Sequence, residues 1–350
     1  MTSGDIFTPE QLSYHAKVYA GPGAGKTHFL VENVKNIIAN NPQIVQSRAR
    51  KVLCVTYTNA AVDEIKRRLD KFTDHVEVYT IHGFIIEHII QPFQQDLRDI
   101  IESDFGITVK SEGKISSQVE GLGILHGVDK EEIYDFVRQT NPVEFANDEF
   151  EYSKKAMGDI EVNCSAFAAS ISNRTTRQIE LKAPSKIDGR HVKPIKKYIW
   201  SVVKKLTHNE ILYFGYRILE SNPTAVYSIR VKFPFMLVDE FQDTNPLQTS
   251  LIKLIGQKST IIGIVGDVAQ SIYSFQGARP TDFKNFSIEG DRELKEYVIN
   301  GNRRSTENIV NFCNFLRQSD DEVLQLSQRP YNTAGEKEQA EAKKIHFLIG

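Results

Sequence analysis

Cysteine is scarce in this sequence of 350 residues, and long apolar runs are missing. The three cysteines, Cys54, Cys164 and Cys313, are scattered, and none belongs to a pair with metal-site spacing. This small, odd number disfavours a disulfide-bonded exterior protein and favours a reducing compartment. No run of about 18 apolar residues occurs, and the N-terminus lacks the basic start and apolar run of a signal peptide. These absences predict a soluble cytoplasmic protein with no membrane partner.

Charge is unevenly distributed along a chain whose formal net charge is only -2. Residues 85–150 hold 14 acidic and 5 basic side chains, whereas residues 151–205 hold 12 basic and 5 acidic ones. Such a basic block is compatible with contacts to nucleic-acid phosphates and equally with a solvated surface. Hydrophobic content of 40% and charged content of 25% are those of a globular protein, and the length predicts two or three domains.

A glycine-rich stretch at residues 20–27 follows apolar residues and precedes a helical pattern. Three glycines lie within it: Gly21, Gly23 and Gly25. Glycines let the backbone turn tightly and aim its N–H groups inward, as phosphate-binding loops require. Lys26 would then reach the outer phosphates, and the Thr27 hydroxyl would ligate Mg²⁺ at the start of the helix. The sequence therefore predicts a nucleotide site between a strand and a helix.

A second phosphate-site signature lies where an apolar run beginning at residue 235 ends in two carboxylates. Asp239 would hold Mg²⁺, directly or through water, and Glu240 would orient and deprotonate the attacking water. Another apolar run, residues 260–265, leads to Gln270, a residue type suited to sensing a γ-phosphate. Because ligands of parallel sheets bind at the C-terminal ends of the strands, these side chains are expected at one edge of the sheet.

Strand and helix patterns alternate in the first part of the sequence. Residues 52–57 and 76–81 are typical of buried parallel strands, and residues 60–69 are typical of an amphipathic helix capped by residues 58 and 59. Between about residues 94 and 205 the strand pattern disappears and helical patterns dominate. The sequence predicts a doubly wound α/β domain interrupted by a mainly helical insertion.

The sequence resembles the UvrD/Rep/PcrA group of superfamily 1 DNA helicases over roughly residues 8–310. Six motifs carry the resemblance in the family's order: residues 20–27, 55–61, 80–84, 237–245, 265–273 and 302–306. The resemblance implies an α/β P-loop NTPase with a RecA-like parallel sheet. It also implies three parts: residues 1–87 plus 207–300 as the ATPase domain, residues 88–206 as a helical insertion in contact with DNA, and residues 301–350 as the beginning of a second motor domain.

The resemblance further implies individual roles at the nucleotide site. Residues matching the family's catalytic positions are Lys26, Glu240, Gln270 and Arg304. Arg304 would be an arginine finger that stabilises charge on the transferred phosphoryl group. The Mg²⁺ ligands would be Thr27 and Asp239. The ATP-binding set would comprise Gln11, Gly21, Gly23, Gly25, Lys26, Thr27, His28 and Arg303. Gln11 resembles the family's adenine-reading glutamine, while Arg303 replaces a tyrosine that packs on adenine, and His28 replaces an arginine.

Contacts to single-stranded DNA are implied for a second set of residues: Tyr57, Thr58, Asn59, His82 and Phe275. Base stacking on aromatic faces tolerates any sequence, which suits a motor that moves along DNA of any composition. The family usually has tryptophan and then arginine where this chain has Phe275 and Gln276, so a stacking face is kept and one cation near the DNA is lost.

The leading interpretation is the N-terminal portion of an ATP-dependent DNA helicase or translocase of the UvrD type. Single-stranded DNA would stimulate its ATP hydrolysis, which would drive 3′ to 5′ movement on single-stranded or partially duplex DNA in repair or recombination, with a repair protein as partner. A second interpretation is a UvrD-like ATPase subunit of an antiphage defence complex such as Gabija, working with a nuclease; residues 84–93 resemble that group. A third is a non-catalytic nucleotide- or DNA-binding module, which the intact catalytic residues argue against.

Overall fold

The computed structural model describes residues 5–111, 113–115, 117–118, 168–171, 179–182, 197–206, 208–271, 278–317, 323–331 and 334–341. The chain forms two compact units. One comprises Met1–Ile81 together with Ile229–Gly350, and the other comprises His82–Ser228. Within the described residues, no helix has the length and apolar character needed to cross a membrane.

The described strands, in chain order, are β1 His15–Ala20, β2 Val52–Thr56, β3 Val76–Thr80, β4 Ser117–Gln118, β5 Ala168–Ile171, β6 Ile179–Lys182, β7 Lys205–Leu206, β8 Phe235–Val238, β9 Ile261–Gly266, β10 Leu294–Ile299, β11 Gly301–Asn302 and β12 Leu326–Ser327. The described α-helices are α1 Lys26–Asn40, α2 Pro42–Val45, α3 Asn59–Leu69, α4 Ile81–Ile85, α5 Gln94–Phe105, α6 His208–Ser221, α7 Pro223–Lys232, α8 Pro246–Gly256, α9 Pro280–Lys284, α10 Glu307–Arg317 and α11 Ala334–Glu341.

The first unit is organised around a six-stranded sheet in the order β10-β1-β9-β8-β2-β3, and every pairing in it is parallel. Strands β2 and β8 are buried along their whole length, as expected where both faces of a parallel sheet are covered. The predicted α/β fold with a parallel sheet is confirmed. Strand β9 lies between β1 and β8, so the strand that leads to Gln270 separates the strand before the glycine-rich loop from the strand before the two carboxylates.

Local sequence explains where the helices of this unit begin and end. Gly25 adopts a left-handed conformation immediately before α1, and Asn41-Pro42 ends that helix because proline lacks the N–H needed to continue it. Helix α3 begins at a Thr58 cap whose hydroxyl oxygen accepts a hydrogen bond from the N–H of Ala61 at 3.2 Å. The predicted bounds therefore agree closely with the structure, and the strands expected at residues 52–57 and 76–81 each end one residue earlier.

The second unit contains helices and short strand pairs. Helices α5 and α6 are accompanied by π-helical turns at Ile86–Ile90 and Ile199–Val203, while β4 pairs with β7 and β5 pairs with β6. Its core includes Trp200, whose ring packs edge-on against Phe105 and Phe214 at centroid distances of 5.1 and 5.6 Å. The indole N–H of Trp200 donates to the buried carboxylate of Glu210 at 3.3 Å. Much of the predicted insertion, including the basic block up to residue 196, lies outside the described residues except for β5 and β6.

His15 makes the stability of the first unit depend on pH. Its buried Nδ1 accepts the N–H of Ile262 at 3.0 Å, and burial, followed by the charge of Arg292, lowers the pKa of His15 to about 4. In the unfolded chain His15 takes up a proton near pH 6.5, whereas in the folded chain it does so only near pH 4. The free energy of unfolding therefore falls as the pH drops from 6.5 towards 4. We expect a loss of about 1–2 kcal/mol in the free energy of unfolding between pH 7 and pH 5 from this residue.

Urea titrations at the two pH values measure this loss. The matched variant is His15→Asn, whose amide oxygen can accept the same N–H and does not titrate. A smaller pH dependence in the variant is the expected result. Equal pH dependence in the two proteins would show that other groups cause the acid sensitivity.

Candidate nucleotide site

The glycine-rich loop connects the C-terminal end of β1 to the first turn of α1. Gly23 and Gly25 have φ values of 72° and 86°, a left-handed region in which residues with a Cβ are strained. A Cβ on Gly23 would also lie 2.7 Å from Oδ1 of Asn302. These two positions therefore need glycine, and the loop ends at a helix N-terminus whose unpaired N–H groups favour an anion.

Lys26 and the two carboxylates meet at this edge of the sheet. Lys26 Nζ lies 3.0 Å from Oε2 of Glu240, and the lysine side chain is only 9% exposed. Asp239 follows β8 directly; its N–H donates to the carbonyl of Val55, and its Oδ1 accepts the N–H of Glu240 at 3.0 Å. Glu240 has a φ of 49°, so its backbone adopts the left-handed region. The structure thus brings together three of the residues that the sequence assigns to ATP chemistry.

The acidic groups carry more negative charge than Lys26 alone can balance. Burial raises the pKa of Asp239, with the neighbouring Glu240 carboxylate adding to the shift, while Lys26 opposes it. Burial and then Glu240 likewise raise the pKa of Asp243 to about 6. Such shifts show that the negative charge of these side chains is costly here unless a further positive charge is supplied.

The donor set fits Mg²⁺. Asp239 is 5% exposed, and within the part of the chain that the structure describes Thr56 Oγ1 and Asp243 Oδ1 are buried oxygens with no hydrogen-bond partner. Mg²⁺ takes oxygen ligands, retains several waters and is usually bound through one or two carboxylates together with phosphates. Asp239 and the Thr27 hydroxyl, at the head of α1, are the residues that would hold it.

Gln242 is a site residue that sequence reasoning did not single out. Its Nε2 donates to Oε2 of Glu240 at 2.9 Å, and its Oε1 accepts the N–H of Asp267 at 2.9 Å. It therefore links the acidic loop after β8 to the turn after β9, where the Gln270 amide donates to the Asp267 carboxylate. Its position inside the motif at residues 237–245 could have indicated a role at the site, but no sequence pattern identifies Glu240 and Asp267 as its hydrogen-bond partners.

Asn302 is the second residue that the sequence left without a role. Its Nδ2 donates to the carbonyl of Pro22 at 2.8 Å, and its Oδ1 accepts the N–H groups of Arg304 and Ser305, each at 2.9 Å. The N–H of Arg303 donates to the carbonyl of Gly23 at 3.0 Å. The backbone that carries both arginines is thus attached to the phosphate loop, although Asn302 and Pro22 are 280 residues apart in the sequence.

Two other predicted nucleotide ligands, Gln11 and His28, lie before and after β1, respectively. Gln11 belongs to a 3-10 turn in which it exchanges hydrogen bonds with Thr8: the N–H of Thr8 donates to Gln11 Oε1 at 2.8 Å, and the N–H of Gln11 donates to Thr8 Oγ1 at 3.2 Å. His28 lies in the first turn of α1 and is half-buried. The adenine-reading role of Gln11 and the base contacts of His28 and Arg303 stay predictions.

The predicted DNA ligands are distributed over both units. Tyr57, Thr58 and Asn59 follow β2 at the sheet edge that carries Asp239, and the last two are exposed. His82 belongs to the second unit, where its ring lies 4.8 Å from that of His208, centroid to centroid. Burial, followed by the charge of His208, lowers the pKa of His82 to about 4. Phe275 lies outside the described residues.

A parallel sheet of this order, with a phosphate loop after one strand and an acidic pair after another, defines a P-loop NTPase of the RecA-like type. Comparison with known proteins makes the assignment more specific. The UvrD/REP helicase N-terminal domain matches residues 8–290, and the chain belongs to this family.

Several curated relatives resemble the chain over most of its length. It is 26% identical over 301 residues to a probable DNA helicase II homolog of Mycoplasma capricolum, covering 85% of this chain and 38% of the relative. It is 27% identical over 339 residues to the Gabija protein GajB of Bacillus cereus, covering 88% and 47%, respectively. It is 28% identical over 337 residues to the ATP-dependent DNA helicase PcrA of Staphylococcus aureus, covering 91% and 40%. The chain thus spans less than half the length of these relatives.

Proposed function

We propose that this chain is the nucleotide-hydrolysing part of an ATP-dependent DNA helicase or translocase. The observation that carries the proposal is the 3.0 Å contact between Lys26 and Glu240 at the mouth of the phosphate loop. A phosphate-binding cation and a general base must stand side by side to act on the same terminal phosphate and its attacking water. Family membership and relatives named as ATP-dependent DNA helicases support the same activity.

Each residue near the loop has a defined task in this proposal. The N–H groups of the loop and Lys26 hold the phosphates, and Glu240 orients the attacking water and accepts its proton. Gln270 contacts the γ-phosphate, and Arg304 stabilises the charge that develops on it. Thr27 and Asp239 would hold Mg²⁺, which would supply positive charge next to the phosphates.

Single-stranded DNA is the proposed stimulator of hydrolysis. Thr58 and Asn59 present exposed polar side chains at the end of β2, the strand that pairs with the strand leading to Asp239. This short structural path between the DNA-contacting turn and the acidic loop provides a route by which DNA binding can alter the position of Glu240. His82 is uncharged at neutral pH because its pKa is lowered, so it would contact DNA by stacking or hydrogen bonding and not by an ion pair with phosphate.

Steady-state ATP hydrolysis with Mg²⁺, in the presence and absence of single-stranded DNA, tests the proposal. We expect DNA to raise the rate in a saturable manner, because the motor couples hydrolysis to strand contact. The Lys26→Ala variant is expected to lose both the basal and the stimulated rate. If Lys26→Ala hydrolysed ATP as fast as the wild-type protein, the assignment of the ATP site would be wrong. If DNA did not change the rate of the wild-type protein, the proposed motor function would be wrong.

Movement in the 3′ to 5′ direction and a role in DNA repair or recombination, with a repair protein as partner, are finer parts of this proposal. Strand-displacement assays on partial duplexes with a 3′ or a 5′ single-stranded tail measure the direction. Unwinding only from the 3′ tail is the expected outcome. Unwinding only from the 5′ tail would reverse the assigned polarity.

A second candidate is an ATPase subunit of an antiphage defence complex with a nuclease partner. The similarity to GajB favours it, because that match extends over 339 residues at an identity comparable to the matches with the helicase II homolog and PcrA. Phage challenge of cells carrying the gene with its genomic neighbours distinguishes the two. Protection that is lost in a Glu240→Gln variant would support defence, and equal phage sensitivity with and without the genes would exclude it.

A further inference from the structure

Arg317 forms a buried ion pair beside the phosphate loop. It is the last residue of α10, and its Nη2 donates to both oxygens of Asp267, at 2.9 Å to Oδ1 and 2.7 Å to Oδ2. The two side chains are only 10% and 3% exposed. Arg317 belongs to none of the motifs that carry the family resemblance, and nothing in its local sequence marks it as part of a nucleotide site.

The guanidinium of Arg317 lies directly against the start of the phosphate loop. A Cβ added to Gly21 would be 3.1 Å from Arg317 Nη1 and 2.4 Å from Gln325 Nε2. Gln325 is in turn hydrogen-bonded through Oε1 to Asn302, the residue that attaches the arginine-bearing turn to Pro22. Arg317 and Gln325 therefore lie along one side of the loop. A side chain at position 21 would come into close contact with both of them.

Asp267 connects Arg317 to the γ-phosphate sensor. Its carboxylate accepts hydrogen bonds from the Gln270 amide and, at 3.2 Å, from the N–H of Ala269. Its backbone N–H is held by Gln242, which also bonds to Glu240. To reach a γ-phosphate, the Gln270 amide has to leave Asp267, and Arg317 then remains as the charged partner of that carboxylate.

We propose that Arg317 is a positioning residue for ATP hydrolysis, which neutralises Asp267 beside the triphosphate and so allows Gln270 to turn to the γ-phosphate. The physical reason is electrostatic. Without Arg317, the buried carboxylate of Asp267 would repel the triphosphate, and the low dielectric constant of the protein interior would screen this repulsion only weakly. Asp267 would also hold the Gln270 amide more firmly, because that amide would be its strongest remaining hydrogen-bond donor. This inference rests on the proposed function, because it assigns a further residue to the same ATP site.

Nucleotide titrations with a fluorescent ATP analogue and Mg²⁺, together with steady-state kinetics, test the proposal. Arg317→Ala is expected to weaken nucleotide binding about tenfold or more, because an unbalanced carboxylate then faces the phosphates. It is also expected to lower kcat, because Gln270 stays on Asp267. Arg68→Ala is the matched control: it removes an arginine from an ion pair with Glu64 on the surface and should leave both quantities unchanged.

The double variant Arg317→Ala with Asp267→Asn separates an electrostatic role from a structural one. Removing the carboxylate removes the repulsion, so nucleotide affinity should return towards that of the wild type even though Arg317 is still missing. The single variant Asp267→Asn keeps the size of the side chain and one acceptor oxygen, removes the negative charge, and should bind nucleotide at least as tightly as the wild type. Melting curves for all variants show whether each one is folded, and the Asp267→Asn protein provides a test if Arg317→Ala does not fold.

Three results would overturn the proposal: wild-type affinity in Arg317→Ala, failure of Asp267→Asn to restore affinity in the double variant, or weaker binding in Asp267→Asn alone. These failures differ from failure of the proposed function. If the wild-type protein bound no nucleotide, both the proposed function and the role of Arg317 would be wrong. If the wild-type protein bound and hydrolysed ATP and Arg317→Ala did so equally well, only the role assigned to Arg317 would be wrong.

Discussion

Replacing Glu240 with glutamine is expected to lower ATP turnover by about 10²- to 10⁴-fold while nucleotide binding is retained. Glutamine has nearly the same shape, but it cannot accept the proton of the attacking water. Oε2 of Glu240 lies 3.0 Å from Nζ of Lys26 and accepts a hydrogen bond from Gln242 at 2.9 Å, and the amide oxygen of a glutamine can occupy the same position. The phosphate-binding groups should therefore stay in place.

Single-turnover hydrolysis and equilibrium binding of an ATP analogue measure the two parts of this prediction. Glu289→Gln is the control, because it makes the same chemical change at an exposed position of the same unit. Turnover of Glu240→Gln at a rate near that of the control would mean that another group accepts the proton. Loss of binding would mean that Glu240 mainly maintains the position of Lys26.

Replacing Arg304 with alanine is expected to reduce kcat by about 10³-fold or more, the range found for arginine fingers. The backbone of this residue is held at the phosphate loop by the hydrogen bond from its own N–H to Asn302, whose Nδ2 bonds to Pro22. In the proposed function, the guanidinium on this anchored turn would stabilise charge that develops on the transferred phosphoryl group only in the transition state. The loss should therefore appear in kcat more than in ground-state affinity.

The neighbouring Arg303→Ala is a suitable comparison for this variant. Arg303 is predicted to stack on the base, so its removal should raise KM and leave kcat nearly unchanged. Arg304→Lys keeps the charge without the planar, bidentate geometry and should recover only part of the rate. If the kcat loss followed Arg303 and not Arg304, the assignment of the two arginines would have to be exchanged.

The parallel sheet and the phosphate loop could be predicted because their signals are local. Buried strands such as β2 and β8 are short apolar runs, and the loop before Lys26 needs glycines at left-handed positions. The meeting of Lys26 and Glu240 also followed, since the C-terminal ends of parallel strands share one edge. The family resemblance rests on the same local motifs, so the sequence alone is enough to indicate it.

The partners of side chains distant in sequence could not be predicted. Asp267 and Arg317 are 50 residues apart, and Asn302 bonds to a carbonyl 280 residues before it. Such contacts depend on the order of strands in the sheet, and a sequence of alternating strands and helices is compatible with several orders. The placement of β9 between β1 and β8 is what brings Asp267 to the phosphate loop.

For this chain, the amino-acid sequence determined which chemical groups are available: a glycine loop, Lys26, two acids after an apolar strand, and an arginine pair. Backbone conformation and burial of short segments are local properties, so residue type and spacing were enough to specify them. The tertiary structure decided which of these groups are coupled, through Gln242, Asn302 and the Arg317–Asp267 ion pair. A hydrogen bond or ion pair requires two atoms within about 3 Å, and only the folded arrangement of distant segments sets that distance.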